Sequence, residues 1–146
     1  MNYMECLLYK TIRSNIHISE KKIQAIVSSV LRITREKPKS VSIHLIGDTK
    51  MKQLNNQFRK KNSTTDVLSF AIQEGEHFFD SDELGEIFIS IPRIKRQAKQ
   101  NRIPFPEEFQ RMLIHGMLHL LGYDHTKPKE AKKMFLLQEK ILKENI

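Results

Sequence analysis

The chain has 146 residues, with 25 Lys and Arg against 17 Asp and Glu and a formal net charge of +8. This length fits one domain whose 39% hydrophobic content can build a core, and the basic excess favours a polyanionic partner, either nucleic acid or an anionic membrane surface. The single cysteine, Cys6, excludes an intrachain disulfide, and without an apolar run near the roughly 20 residues of a membrane span, or a signal peptide, we expect a cytoplasmic location.

The chain begins with a predicted strand followed by a helix. Met4–Tyr9 is short and mostly apolar, which is typical of a strand. Ser19 is expected to cap the helix. The core-facing residues of this helix recur at helical spacing: Ile23, Ile26, Val27, Val30 and Leu31.

A half-buried strand is predicted at 41–45, where apolar and polar residues alternate. Its polar side carries His44, which we expect to be an ordinary exposed residue. Gly47 breaks the strand. Asp48 is then expected to cap a short helix that carries Met51, Leu54 and Phe58.

A polar loop at 59–66 separates this helix from the next strand, predicted at 67–72. The loop is rich in basic and hydroxyl groups, including Lys60 and Lys61, and is too polar for a core. Leu84–Ser90 predicts the return strand of a hairpin. The acid-rich segment at 74–86 is interpreted as a solvated hairpin loop rather than a second metal site, and His77 within it is a weak ligand candidate.

A strongly basic helix is predicted next. Pro92 favours its start, because the N–H that proline lacks would be unpaired there in any case. Residues 93–102 carry five basic groups and no acid, whereas a solvated helix face usually mixes both signs. We therefore expect phosphate contacts from four candidate residues: Lys95, Arg96, Lys99 and Arg102. Three of them, Lys95, Lys99 and Arg102, lie within one broad stripe.

Three of the six histidines fall within the stretch 115–125. His115 and His119 lie four residues apart near the end of a helix predicted from about Pro106, so their rings project from one side. Gly122 can take the left-handed conformation that ends the helix, and the reversed chain could return His125 to the same point. Three neutral nitrogen ligands with a fourth position open are typical of catalytic zinc, so we predict one Zn²⁺ per chain.

The spacing of these histidines is similar to that of the metzincin metalloproteases, with one large departure. Those enzymes place a Glu general base directly after the first His. This chain has Gly116 there, which has no side chain to move a proton. The proteolytic mechanism therefore loses its base.

The last helix is predicted to open at Pro128 and to pack through Ala131, Met134, Phe135, Leu137 and Leu142. The predicted order is thus strand, helix, strand, helix, two strands and three helices. This order indicates an α+β fold: a single domain over 1–146 in which helices cover a small mixed β-sheet.

Two separate stretches resemble the YbeY family of bacterial endoribonucleases and ribosomal RNA maturation factors. The first is His-Gly-x-Leu-His-Leu-x-Gly-Tyr-Asp-His at 115–125, and the second combines the runs at 54–59 and 65–70. The resemblance implies a zincin-like metal helix at the base of a cleft, single-strand endoribonuclease activity at the 3′ end of small-subunit RNA, and Arg59 as a functional arginine. It also implies a small-subunit ribosomal protein and an assembly GTPase as partners. The family usually has Asp where this chain has Glu86, so the role of that position stays open.

Residue chemistry suggests how such a site would work. The planar fork of Arg59 can hold two oxygens of a scissile phosphate. We expect His115 to serve as both ligand and catalytic residue, and Asp124 to orient a ligand His through its second ring nitrogen. Lys60 and Lys61 would bind RNA beside Arg59.

Three functions remain open at this point. The chain could be a zinc-dependent endoribonuclease, a metallohydrolase of another class such as a peptidase, or a non-catalytic RNA-binding ribosome-assembly factor stabilised by its metal. Gly116 and the basic segments disfavour the peptidase. The sequence does not separate the nuclease from the assembly factor.

Overall fold

The computed structural model describes residues 6–72 and 82–146. Its elements are β1 (Cys6–Lys10), α1 (Glu20–Ile33), β2 (Ser40–Ile46), α2 (Asp48–Arg59), β3 (Val67–Ala71), β4 (Glu83–Ser90), α3 (Ile91–Gln100), α4 (Phe105–Leu120) and α5 (Pro128–Asn145). This order confirms the predicted single α+β domain. The start of the predicted first strand, most of the acid-rich segment and His77 lie outside the described residues.

The described strands form one mixed sheet in the order β1-β2-β4-β3. β1, β2 and β4 run parallel, and β3 pairs antiparallel with β4 at the edge. The hairpin strand β3 therefore lies beside α4, which places Ser69 against the backbone of Gly116. This contact brings the loop before β3 close to the histidine-bearing end of α4.

The main core lies between one face of the sheet and the helices α1 and α4. Val41, Ile43 and Leu45 are at most 2% exposed on this face, as their alternation predicts. Ser19 caps α1 as predicted, by accepting a hydrogen bond from the backbone of Lys22 at 3.0 Å. The opposite face carries α2 over a smaller cluster formed by Ile46, Met51, Leu54 and Leu68.

Several local predictions are wrong. Gly47, not Asp48, is the N-cap of α2, because the Asp48 carboxylate is occupied elsewhere. Phe58 and Phe135 are more than half exposed, since the helices α2 and α5 turn these positions outward. Arg102 lies beyond the end of α3 in a left-handed turn (φ 57°), so it does not continue the basic helix stripe.

His44 is half-buried and not simply exposed. Its ring stacks between Tyr9 and Phe88, at centroid distances of 4.8 and 4.2 Å, and its Nε2 lies 3.0 Å from Glu86. Glu86 therefore pairs with His44 of the neighbouring strand.

Cys6 is buried, and burial raises the pKa of its thiol to about 11, as suits a packing residue rather than a nucleophile. None of the helices formed by described residues combines the length and apolar character needed to cross a bilayer.

Candidate metal centre and cleft

The turn after α4 returns the third histidine to the first two. Leu121 is the C-cap, and Gly122 takes a positive φ of 95°, as predicted. The backbone N–H of Tyr123 donates to Leu118 O and that of Gly122 donates to His119 O, both at 3.0 Å. These two bonds form a Schellman motif, which reverses the chain within a few residues of the last turn.

Asp124 shapes the next step of this turn. Its Oδ1 accepts from the backbone N–H of His125 at 2.7 Å and of Thr126 at 3.2 Å, while Oδ2 accepts from the Thr126 hydroxyl at 2.9 Å. These bonds hold the pKa of Asp124 below its usual value, and the bond from the Thr126 hydroxyl has the largest effect. The expected bond from Asp124 to a histidine ring is not among its contacts, because the carboxylate is directed into its own turn. Asp124 thus positions His125 through the backbone.

The three predicted ligands converge. One ring nitrogen from each of His115, His119 and His125 lies within 4.8 Å of the others. The Nε2 atoms of His115 and His119 are 3.1 Å apart, close to the separation of about 3.3 Å that tetrahedral zinc with 2.0–2.1 Å bonds requires. The donor set therefore fits a zinc ion bound by three neutral imidazoles.

Partial burial favours the neutral form of His119 that a metal requires. Burial, followed by the neighbouring His115 and His125 rings, lowers the pKa of His119 to about 4, although a hydrogen bond to the backbone of Tyr123 acts in the opposite direction. His119 is therefore unprotonated at neutral pH, before any metal binds. Such a ring is ready to donate its lone pair.

His115 has a buried partner that the sequence analysis missed. Its Nδ1 lies 2.7 Å from Oε1 of Gln138, a residue of α5. Gln138 is only 5% exposed. No motif or spacing connects the two positions. The only usable signal was that a polar residue, Gln138, interrupts the otherwise apolar packing face of the last helix.

Gly116 serves the packing of α4 on the sheet. A Cβ at this position would lie 3.1 Å from Ile87 and Ser69 and 3.2 Å from Val67, and the Ser69 hydroxyl donates to Gly116 O at 3.1 Å. A side chain here would be directed at β3 and β4. The position that holds the base in metzincin proteases therefore faces the sheet.

Arg59 lies across the cleft from the histidines. The cleft has a volume of about 680 Å³ and is lined by Arg59, residues 65–69 and all three histidines. The Arg59 guanidinium donates from Nη2 to Ser69 O at 3.1 Å and lies 5.2 Å from the centre of the Phe70 ring. These contacts hold it at the edge of the sheet, in the cleft that the three histidines also line.

The loop between Arg59 and β3 is tied down at its base. Asp48 accepts hydrogen bonds from Thr64, Ser90 and Arg96, and the Arg96 bond is the main reason that the pKa of Asp48 is lowered. Asn55, which is buried, donates to Ser63 O at 2.9 Å. The polar residues of the run at 54–66 thus fix the loop on which the cleft wall depends.

The predicted RNA-binding residues occupy different places. Lys60 and Lys61 are exposed next to Arg59, and Lys95 and Lys99 are exposed on α3. Arg96 pairs with Asp48, although about half of its side chain remains exposed. None of these predicted RNA-binding residues is among the residues that line the cleft, whereas Arg59, predicted as catalytic, is. Any contact made by α3 would therefore lie outside it.

Comparison with known proteins agrees with this geometry. The family model described as Endoribonuclease YbeY matches residues 9–145. The Endoribonuclease YbeY of Persephonella marina is 43% identical over 130 residues, covering 88% of this chain and 84% of that protein. The Endoribonuclease YbeY of Thermodesulfovibrio yellowstonii is 48% identical over 106 residues, covering 70% and 64% respectively.

A solved structure has the same fold. The solution structure of TM1509 from Thermotoga maritima matches with a TM-score of 0.65 and 27% identity, covering 96% of this chain and 88% of that one. The match extends over nearly the whole described domain. The resemblance inferred from two short motifs therefore holds along the chain.

Proposed function

The chain belongs to the Endoribonuclease YbeY family, and from that premise we propose that it is a zinc-dependent endoribonuclease that cleaves single-stranded RNA. The observation that carries this proposal is the convergence of His115, His119 and His125 opposite Arg59 in one cleft. The net charge of +8 supports a polyanionic substrate. In this proposal residues 1–146 form one metal-dependent hydrolase domain that acts in the cytoplasm.

In this proposal the histidines and Arg59 have separate roles in the cleft. The three histidines would hold the zinc ion, which when bound would supply a Lewis acid for the phosphate. Arg59 uses one Nη2 bond to Ser69 O, and a guanidinium has five N–H donors, so the others are available for phosphate oxygens. Arg59 then stabilises the charge that develops on phosphorus-bound oxygens in the transition state.

We further propose that the substrate is the precursor of small-subunit ribosomal RNA, cut near its 3′ end. Exposed Lys60 and Lys61 would bind the strand next to Arg59, while Lys95 and Lys99 would bind flanking phosphates. A small-subunit ribosomal protein and an assembly GTPase are the proposed protein partners. These proposals rest on the family resemblance and on the exposed basic residues.

The test is cleavage of a small-subunit precursor RNA by zinc-loaded protein, with product ends mapped by sequencing. We expect defined 3′ products with the parent protein and at least about a hundredfold less of them with Arg59→Ala or His119→Ala. RNA binding without cleavage above these variants would instead identify a non-catalytic, metal-stabilised assembly factor. The exposed lysines of α3, which lie outside the cleft, are the observation that keeps this second function in view.

A further inference from the structure

The buried contact between α5 and His115 defines more than a packing interaction. Gln138 is one of the few buried polar residues of the core, and its Oε1 lies 2.7 Å from His115 Nδ1. An imidazole nitrogen can donate or accept, and an amide has one end of each kind. The chemistry of the contact therefore depends on which way the Gln138 amide is oriented.

A neighbouring carboxylate determines that orientation. Gln138 Nε2 lies 3.2 Å from Glu139 Oε2, and an ionised carboxylate can only accept. The carboxylate is itself held by Arg111, whose Nε and Nη2 donate to it at 3.0 and 3.1 Å. Although partial burial tends to raise the pKa of Glu139, the bonds from Arg111 and Gln138 lower it overall, so the group is ionised at neutral pH. The NH₂ end of Gln138 must face Glu139.

The carbonyl end of Gln138 must then face His115. A carbonyl oxygen only accepts, so Nδ1 of His115 must carry the proton and Nε2 must carry the lone pair. Nε2 is the atom that lies 3.1 Å from His119 Nε2, on the side where the three histidines converge. The tautomer imposed from α5 is the one that can bind a metal at that point.

We propose that Gln138 is a positioning residue that sets the tautomer and ring orientation of His115, with Glu139 and Arg111 fixing the direction of its amide. The proposal deepens the metal site and rests on the proposed zinc function. The relay runs from Arg111 and Glu139 through Gln138 to His115. Because its members come from both α4 and α5, it also transmits the packing of the last helix to the ligand set.

The experiment compares three variants with the parent protein. Gln138→Met keeps the volume and removes the acceptor, Gln138→Glu keeps an acceptor, and Ile141→Val is a mild core change on the same helix. Long-range ¹H–¹⁵N spectra of the metal-free proteins report which ring nitrogen of His115 is protonated. Zinc affinity is measured separately by competition with a chromophoric chelator at neutral pH.

We expect His115 of the parent, Gln138→Glu and Ile141→Val to be protonated on Nδ1, and that of Gln138→Met to be protonated substantially on Nε2. Zinc affinity should fall by about 10- to 100-fold in Gln138→Met, as is usual when an outer partner of a ligand histidine is removed, and should stay near the parent value in Ile141→Val. Gln138→Glu, whose carboxylate also faces the ionised Glu139, is compared by its tautomer alone. If Gln138→Met does not fold, Gln138→Asn provides the same test, because its shorter side chain withdraws the acceptor.

The proposal would be overturned by a parent His115 protonated on Nε2, or by a Gln138→Met protein with unchanged tautomer and zinc affinity. A comparable loss of affinity in Ile141→Val would also do so, since packing alone would then explain the effect. Failure of the parent protein to bind zinc would contradict the proposed function instead. The tautomer spectra of metal-free protein would still decide the role of Gln138.

Discussion

The two walls of the cleft are built in different ways. The histidine wall comes from one continuous stretch, residues 115–125, whose shape follows from the end of α4 and the Schellman turn. The facing wall joins the end of α2, a polar loop and the edge strand β3. It depends on hydrogen bonds between residues of separate segments: Asn55 to Ser63, Arg59 to Ser69 and Thr64 to Asp48.

The difference extends to how the key side chains are held. His115 is pinned by a buried amide and His119 is half-buried, whereas Arg59 is exposed and held by one hydrogen bond and the Phe70 ring. Metal ligands need fixed positions in the resting protein. A residue that stabilises developing charge needs free donors. The two walls should therefore respond differently to substitution, in metal binding on one side and in the rate of the bound complex on the other.

The largest effect is expected from the histidine wall. His119→Ala should lose most bound zinc and reduce RNA cleavage by more than about 10³-fold. Removing one residue of a group that acts as a unit costs about as much activity as removing the whole group. Zinc content by mass spectrometry and single-turnover cleavage measure the two losses. The control is His17→Asn, at an exposed histidine outside the cleft whose positive φ suits Asn. Retention of zinc by His119→Ala would contradict the ligand assignment.

Arg59→Ala should leave zinc content and RNA affinity within a few-fold of the parent and reduce single-turnover cleavage by roughly 10²–10³, as expected for one lost electrostatic stabiliser. Arg59→Lys should recover little, since a point charge lacks the two-pronged geometry. Lys60→Asn, at the adjacent left-handed position, is the contrast: it should weaken RNA binding, as loss of a phosphate contact does, and retain most of the cleavage rate of the bound complex. Weaker RNA binding with an unchanged rate would show that Arg59 acts on the ground state.

Acid should weaken the histidine wall before the facing one. The pKa of His119 is about 4 in the folded protein against an ordinary 6.5, so the unfolded chain binds the proton first. The full pKa shift corresponds to about 3 kcal/mol, and solvent screening of the half-buried ring reduces this. The metal-free protein should therefore lose on the order of 1–2 kcal/mol of stability as pH falls from about 6.5 to about 4. Urea unfolding at several pH values, with chelator present, checks this. A slope in His119→Gln as steep as that of the parent would attribute the loss to other groups.

Gly116→Ala tests the contact between the two walls. Alanine gains about 1 kcal/mol in helix propensity, but its Cβ meets the fully buried Ile87 and the β-branched Val67 at 3.1–3.2 Å. Overpacking of this kind costs about 1–3 kcal/mol. We expect a net destabilisation of about 1 kcal/mol by urea unfolding, from the balance of these terms. A Gly116→Ala protein more stable than the parent would show that β3 can move enough to accommodate the added methyl group.

The smallest effect is expected away from both walls. Lys95→Glu with Lys99→Glu should weaken binding to unrelated single-stranded RNAs alike and reduce the log–log salt slope by about 1.4, at about 0.7 per lost phosphate contact. Cleavage of the bound complex should be unchanged. Arg96→Gln is the contrast, because it releases Asp48 and the loop instead. An effect on a single RNA sequence would identify α3 as a base-reading helix and contradict this role.

Much of the histidine wall was predictable because helix geometry is local. Spacing of four places His115 and His119 together, and Gly122 allows the left-handed turn that returns His125. The alternation in β2 and the periodicity of α1 likewise predicted which residues would be buried. Two expected carboxylate bonds are absent because each side chain has other partners, distant ones for Asp48 and adjacent ones for Asp124. The Asp48 carboxylate bonds to Thr64, Ser90 and Arg96 rather than capping its helix, and Asp124 bonds within its own turn.

The sequence by itself therefore determined the element order, the α+β class and the three candidate ligands, since each follows from periodicity within a few turns of backbone. Only the tertiary structure decided that Arg59 faces those ligands, that Gln138 lies behind His115, and that position 116 is directed at the sheet. The physical reason is that each of these depends on packing between elements far apart in the chain. Local spacing carries no information about which distant side chain will fill the space.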